Sequence, residues 1–147
     1  MRMLLYFFPL LVLMSFVSCN TASEKDALKE KKMYREDGSL AHWYQYKDSL
    51  FHGFSKKYYK NGTLKSKVHF VEGKKEGKGS NFYREGTEQA RIFYKDGKKH
   101  GKSIWFYKNG KPYRVTPYVE GDRHGIQKKY YKDGSLMSVL TYRNDHP

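Results

Sequence analysis

Three histidines, His52, His100 and His124, each stand directly before a glycine and are separated by multiples of 24 residues. Histidine is the commonest metal ligand and titrates near neutral pH. A shared ion, however, needs its ligand atoms about 2 Å away. If 24 residues make one unit of two paired strands, successive histidines stand roughly 10 Å apart, twice the ~4.8 Å strand spacing. They form a ladder along a surface and do not converge, so each reads as a polar turn residue and no metal is expected. The carboxylates Asp48, Glu72, Asp96 and Glu120 share another column of the same period. Acid–base chemistry wants two carboxylates facing each other across a cleft. This column predicts a turn role instead, accepting backbone hydrogen bonds. Nothing pairs Cys19 or a serine with a histidine in the order that nucleophilic catalysis uses. The glycines sit between strands with no helix after them, so no phosphate loop is read. No catalytic residue is assigned, no cofactor is called for, and the chain is not read as an enzyme.

The elements that place these residues follow from the period. Gly38, Gly62, Gly86, Gly110 and Gly134 are each 24 apart, as are Gly53, Gly77, Gly101 and Gly125, and Gly73, Gly97 and Gly121. Aromatic columns keep step: Tyr46, Phe70, Tyr94, Tyr118 and Tyr142; Tyr59, Tyr83, Tyr107 and Tyr131; Tyr34, Tyr58, Phe82, Phe106 and Tyr130. In "YKNGT", "YREGT", "YKNGK" and "YKDGS" a tight hairpin turn is expected, with positive φ at its central residues. "TLKSKVHF" and "SLMSVLTY" then alternate apolar and polar, the pattern of a strand with one buried face. "VEGKKEG", "KDGKKHG" and "VEGDRHG" reverse the chain again. Each unit is two strands and two turns, and an isolated hairpin is only marginally stable. Stacked units share stability with their neighbours in one continuous sheet. The fold class expected is all-β: an elongated, single-layer array of antiparallel hairpins, preceded by a signal-peptide helix and a tether.

Composition agrees with a thin fold. The 147 residues are 17% aromatic, with 14 Tyr, and mean hydropathy is −0.90. Large single cores need more apolar material, and disordered chains carry fewer aromatics. Tyrosine can cover apolar surface while keeping its hydroxyl wet. The net charge of +14 favours acidic partners and also keeps an open sheet soluble.

The chain opens "MRMLLYFFPLLVLMSFVSCN". Arg2 precedes an apolar run from Leu4 to Val17, 14 residues, shorter than the ~20 that span a bilayer. It reads as the hydrophobic region of a secretory signal. Phe16-Val17-Ser18-Cys19 resembles a bacterial lipobox, with Phe16 departing from the usual Leu. That resemblance implies lipidation of Cys19 and a protein of the cell envelope, facing the periplasm or the outside. Two or more acyl chains anchor stably. The divisions expected are a signal at 1–18, a charged tether at 19–32 with a helical turn or two capped at Ser23, and repeats at 33–147. The units run at about 33–53, 54–77, 78–101, 102–125 and 126–147.

Gly97-Lys98-Lys99-His100-Gly101-Lys102 followed by "WFYKNG" resembles the MORN repeat. The period, the "YYxxG" at Tyr58 to Gly62 and the paired glycines four apart are most similar to the variant form of that repeat. The resemblance covers about Met33 to the C-terminus. It implies an elongated hairpin array without enzymatic activity that binds proteins or membrane lipids. The variant recurs in bacterial proteins described as antitoxins or immunity proteins of toxin–antitoxin systems, so a toxin is one partner it implies. Arg35 stands where later units have Tyr59, Ser49 where they have Gly73, and Asp145 replaces that glycine at the other end, as capping units do.

Two binding surfaces are expected. Tyr59, Tyr83, Tyr107 and Tyr131, with Trp105, make an aromatic strip flanked by lysines, a composition favoured in protein interfaces. Alternatively Lys74, Lys75, Lys98 and Lys99 hold the repeats against an anionic membrane surface. Stacking on nucleic-acid bases suits the same residue types, but a secreted, lipid-anchored chain rarely meets that partner.

Overall fold

The computed structural model describes residues 27–146. The signal segment, Cys19 and the first part of the tether lie outside the described residues. Twelve antiparallel strands form one open sheet: β1 Lys29–Tyr34, β2 Leu40–Lys47, β3 Leu50–Tyr58, β4 Leu64–Val71, β5 Lys74–Phe82, β6 Glu88–Lys95, β7 Lys98–Lys99, β8 Gly101–Phe106, β9 Pro112–Val119, β10 Asp122–Arg123, β11 Gly125–Tyr130 and β12 Leu136–Tyr142. The path is a meander, each strand pairing its neighbours in sequence. β7 with β8, and β10 with β11, are single strands interrupted at His100 and His124. No helix occurs among the described residues. The all-β hairpin array is therefore the fold.

The two turns of each unit divide their labour differently from the expectation above. At Asn61-Gly62 the Gly62 N–H donates to Tyr59 O at 3.0 Å, and the Tyr59 N–H donates to Thr63 O at 2.8 Å. Among the turn residues only Gly62 has positive φ, at 83°. This is a type I turn closed by a glycine bulge, a three-residue loop. Positive φ at both central residues occurs in the other turn, at Glu72 and Gly73 (47° and 80°), Asp96 and Gly97 (51° and 83°), and Glu120 and Gly121 (51° and 109°). These two-residue turns have the twist that matches flanking strands. Asp48, Glu72 and Asp96 thus serve through their backbone. The Glu72 N–H donates to His52 Nδ1 at 3.5 Å and the Asp96 N–H to Glu76 Oε2 at 2.9 Å.

The first strand begins at Lys29, inside the segment read as tether. Its charges misled: a polar, charged stretch reads as linker, yet the same composition protects a sheet edge from stray pairing. Lys31 pairs with Tyr44 and Lys32 with Trp43, whose indole N–H donates to Glu30 Oε2 at 3.1 Å.

The interior is scant. Ala90 and Tyr142 are the buried apolar residues among those described; Ser55, Ser103, Thr116 and Gln127 are the buried polar ones. Ser55, Gly79, Ser103 and Gln127 form one column, 24 apart. Small or slender residues there let the aromatic columns close over the sheet. Stability is thus spread through neighbouring units, as in other repeat arrays.

Candidate functional site

Alternation along the strands puts His42, Lys57, Ser66, Asn81, Ala90, Trp105, Arg114, Lys129 and Ser138 in one row across a single face, each the direct cross-strand partner of the next. Beside this row, toward the two-residue turns, runs the column of Tyr46, Phe70, Tyr94, Tyr118 and Tyr142. Cations interleave with it. Lys75 Nζ lies 5.0 Å from the Tyr94 ring centre and Lys99 Nζ 4.9 Å from that of Tyr118. The Arg123 guanidinium is 4.3 Å from Tyr142. In the first unit Phe51 takes that place and stacks on Phe70, with ring centres 5.1 Å apart. Each such contact contributes roughly 0.5–1 kcal/mol at an exposed site. Burial pushes the hydroxyls of Tyr94 and Tyr118 above the ordinary tyrosine pKa.

The four lysines considered for a membrane surface are divided by this geometry. Lys75 and Lys99 turn onto the aromatic face, while Lys74 and Lys98, one residue earlier, are exposed on the other. Adjacent residues of a strand point to opposite sides. The expected patch is therefore two separate columns.

The tyrosine strip is in register along the type I turns, and its hydroxyls are committed. Tyr59 donates to Phe82 O at 2.8 Å, Tyr83 to Phe106 O at 2.8 Å and Tyr107 to Tyr130 O at 2.9 Å. Each clamps its own unit to the backbone of the next. Arg35, at the equivalent place in the first unit, reaches Tyr58 O, the same carbonyl in register, with its guanidinium. A residue that looked degenerate in the sequence therefore makes the same bond. Tyr131 has no following unit to clamp among the described residues and is 51% exposed.

The rings of the strip are also attended. Lys65 and Arg84 lie over Tyr59, and Lys108 over Tyr83. Trp105 carries the Arg114 guanidinium at 4.1 Å. Trp105 and Tyr83 come together in one hollow with Asn81, Ala90 and Tyr113. Tyr107 packs edge-on against Tyr113 at 5.3 Å.

The turn tips carry a second set of ties. Asp37 pairs with Lys60 at 3.0 Å and Glu85 with Lys108 at 2.8 Å. Where the column holds Asn, the amide donates to the next turn's backbone instead: Asn61 to Arg84 O at 3.3 Å and Asn109 to Lys132 O at 3.1 Å. Hydrogen bonds from Ser39 and from Lys60 hold the Asp37 carboxyl at a pKa of about 2.

The histidines engage their own surroundings. His52 accepts from the Glu72 turn, and His124 Nδ1 lies 3.3 Å from Asn144 Oδ1. His42, not singled out in the sequence, is hydrogen-bonded through Nε2 to Ser55 Oγ at 2.7 Å. Burial, with the nearby Lys57 charge, lowers its pKa. The cation–aromatic pairs and the His42–Ser55 bond each join residues of different columns, and the spacing within a column does not show which columns meet.

Three segments of the chain match the MORN repeat variant: residues 51–72, 99–120 and 123–144. They coincide with the β3–β4 hairpin, with β8–β9 and with β11–β12. This repeat is a non-catalytic type associated with binding to membranes or proteins. No curated protein matches the chain.

Proposed function

We propose that this chain is a non-catalytic β-repeat binding protein, held at the cell envelope through lipidated Cys19, that docks a partner protein along the turn edge carrying the tyrosine strip. The observation that carries this reading is the exposed end of the strip. Tyr131, whose hydroxyl meets no clamped carbonyl among the described residues, is 51% exposed in the turn that leads to Leu136 (54%). Tyr and Trp are enriched among the residues that dominate interface energetics. The basic surface adds steering toward an acidic partner. An immunity role, with a toxin as that partner, is the specific form suggested by the antitoxin associations of similar repeats.

The test is capture of partners from the producing cell's envelope by wild type, Tyr131→Ser and Trp105→Ser. Neither variant removes an inter-unit hydroxyl clamp. A specific partner lost by about 10-fold or more with either variant supports the strip, since interface hot spots contribute ~2 kcal/mol or more. Equal recovery rejects it as the contact surface.

A second reading is favoured by the exposed column of Lys74 and Lys98, which stack on successive turns: a Cβ at Gly97 would meet Lys74 Cβ at 3.9 Å, and one at Gly121 would meet Lys98 Cβ at 3.9 Å. Here the repeats lie against an anionic membrane as an envelope scaffold. Cys19→Ser protein should then bind phosphatidylglycerol vesicles in a salt-sensitive way. No binding at low salt ends that reading.

A further inference from the structure

One place on the aromatic face breaks the repeat. In the row described above, the positions held by Trp105 and Arg114 are filled and stacked on each other. One unit earlier the same columns hold Asn81 and Ala90, and before that Lys57 and Ser66. The column of Ser55, Ser103 and Gln127 holds Gly79. Gly79 does not have positive φ, so its backbone does not demand glycine. A Cβ there would instead meet Tyr94 Cε2 at 3.0 Å. Glycine lets the Tyr94 ring lie back and form a wall.

The result is a groove of about 290 Å³ over β2–β6, with His42 at its β2 end. Phe51, Phe70 and Tyr94 supply apolar walls; Ser66 and Asn81 supply neutral donors and acceptors. Lys57 and Lys75 supply charge, and no Asp or Glu lines the groove. Neither lysine has a carboxylate within ion-pair distance among the described residues. Lys67 also borders the groove, but its ammonium sits over Phe54 at 4.2 Å, away from Lys57 and Lys75. Binding sites for small groups combine such apolar walls with a few convergent polar atoms.

We infer that this groove binds a carboxylate-bearing sugar, as one residue of an acidic polysaccharide. Three features select that chemistry. Lys57 and Lys75, with no carboxylate in the groove, favour an anion. Hydroxyl and amide groups beside aromatic walls suit a ring with polar edges and apolar faces. The groove lies on the solvent-facing surface of the sheet, so one residue of a longer chain can reach it. This inference goes beyond the protein-docking reading and does not rest on it.

The test uses full-length Cys19→Ser protein and calorimetric titration with hexagalacturonate. Maltohexaose is the neutral control, and phosphatidylglycerol vesicles are the lipid arm. Saturable binding of the acidic sugar, at least 10-fold tighter than that of the neutral one, is expected. Lys57→Gln and Lys75→Gln should each weaken it about 10-fold, the scale of one charge-assisted hydrogen bond. Lys74→Gln, on the opposite face, should not. Asn81→Trp, which copies the residue found one unit later, should abolish binding. Equal affinity for both sugars overturns the inference. So does equal weakening by Lys74→Gln and Lys75→Gln, which marks diffuse charge attraction. Vesicle binding lost in Lys75→Gln without sugar binding overturns it in favour of a lipid headgroup. If Asn81→Trp does not fold, the three lysine variants decide.

Discussion

At the scale of single residues, the tyrosines of one column do unequal work. Tyr107 donates its hydroxyl to Tyr130 O, whereas Tyr131 makes no such bond among the described residues. Tyr107→Phe should therefore lower stability by about 1 kcal/mol in urea unfolding, and Tyr131→Phe should be nearly neutral. Equal effects would mean the hydroxyl clamp is not what the column provides. His42 gives a pH-dependent counterpart. Its folded pKa is below the unfolded value near 6.5, so the unfolded chain binds that proton more readily. The neutral ring's contribution is fully present above about pH 6.5 and is lost as pH falls from there through the lower folded pKa. Urea midpoints between pH 7.5 and 5 should show a shallower decline in His42→Gln than in wild type.

At the scale of elements, each unit uses one turn that wants a single glycine and one that wants positive φ twice. Glu72, Asp96 and Glu120 occupy the first of those two positions despite the steric cost to a side chain. That cost is partly offset across units. The Gly73 N–H donates to Phe51 O at 2.8 Å, and the Gly97 and Gly121 N–H groups donate to Lys75 O and Lys99 O at 2.9 Å. Asparagine tolerates this conformation better than glutamate. Glu120→Asn should raise unfolding stability in urea by roughly 0.5 kcal/mol, whereas Gly121→Ala should lower it by about 1–2 kcal/mol. The glycine columns made both turns visible in the sequence. Which turn was which was not visible, because Asn-Gly serves either type and only the inter-strand register decides between them.

At the scale of the whole molecule, stability should be graded along the array. Apart from the two-residue β7 and β10, interior strands have neighbours on both sides; β1 and β12 have one among the described residues. Repeat arrays gain stability from each interface, so terminal units open more easily. Amide exchange should be slowest in β5–β9 and fastest in β1 and β12. Uniform protection would instead indicate all-or-none unfolding of the whole sheet.

The period, the all-β class, the order of the strands and the aromatic columns were settled by sequence alone. They are properties of spacing, and a residue repeated every 24 positions must return to the same place in a stacked unit. The tertiary structure decided what joins one column to another. It placed Lys75 over Tyr94, brought Arg35 to the carbonyl that tyrosine reaches elsewhere, and drew Lys29–Tyr34 into the sheet. It also left a groove where Gly79 and Asn81 replace bulkier neighbours. Those outcomes depend on bulges, twist and side-chain reach across strands, which set distances between columns that the sequence lists only separately.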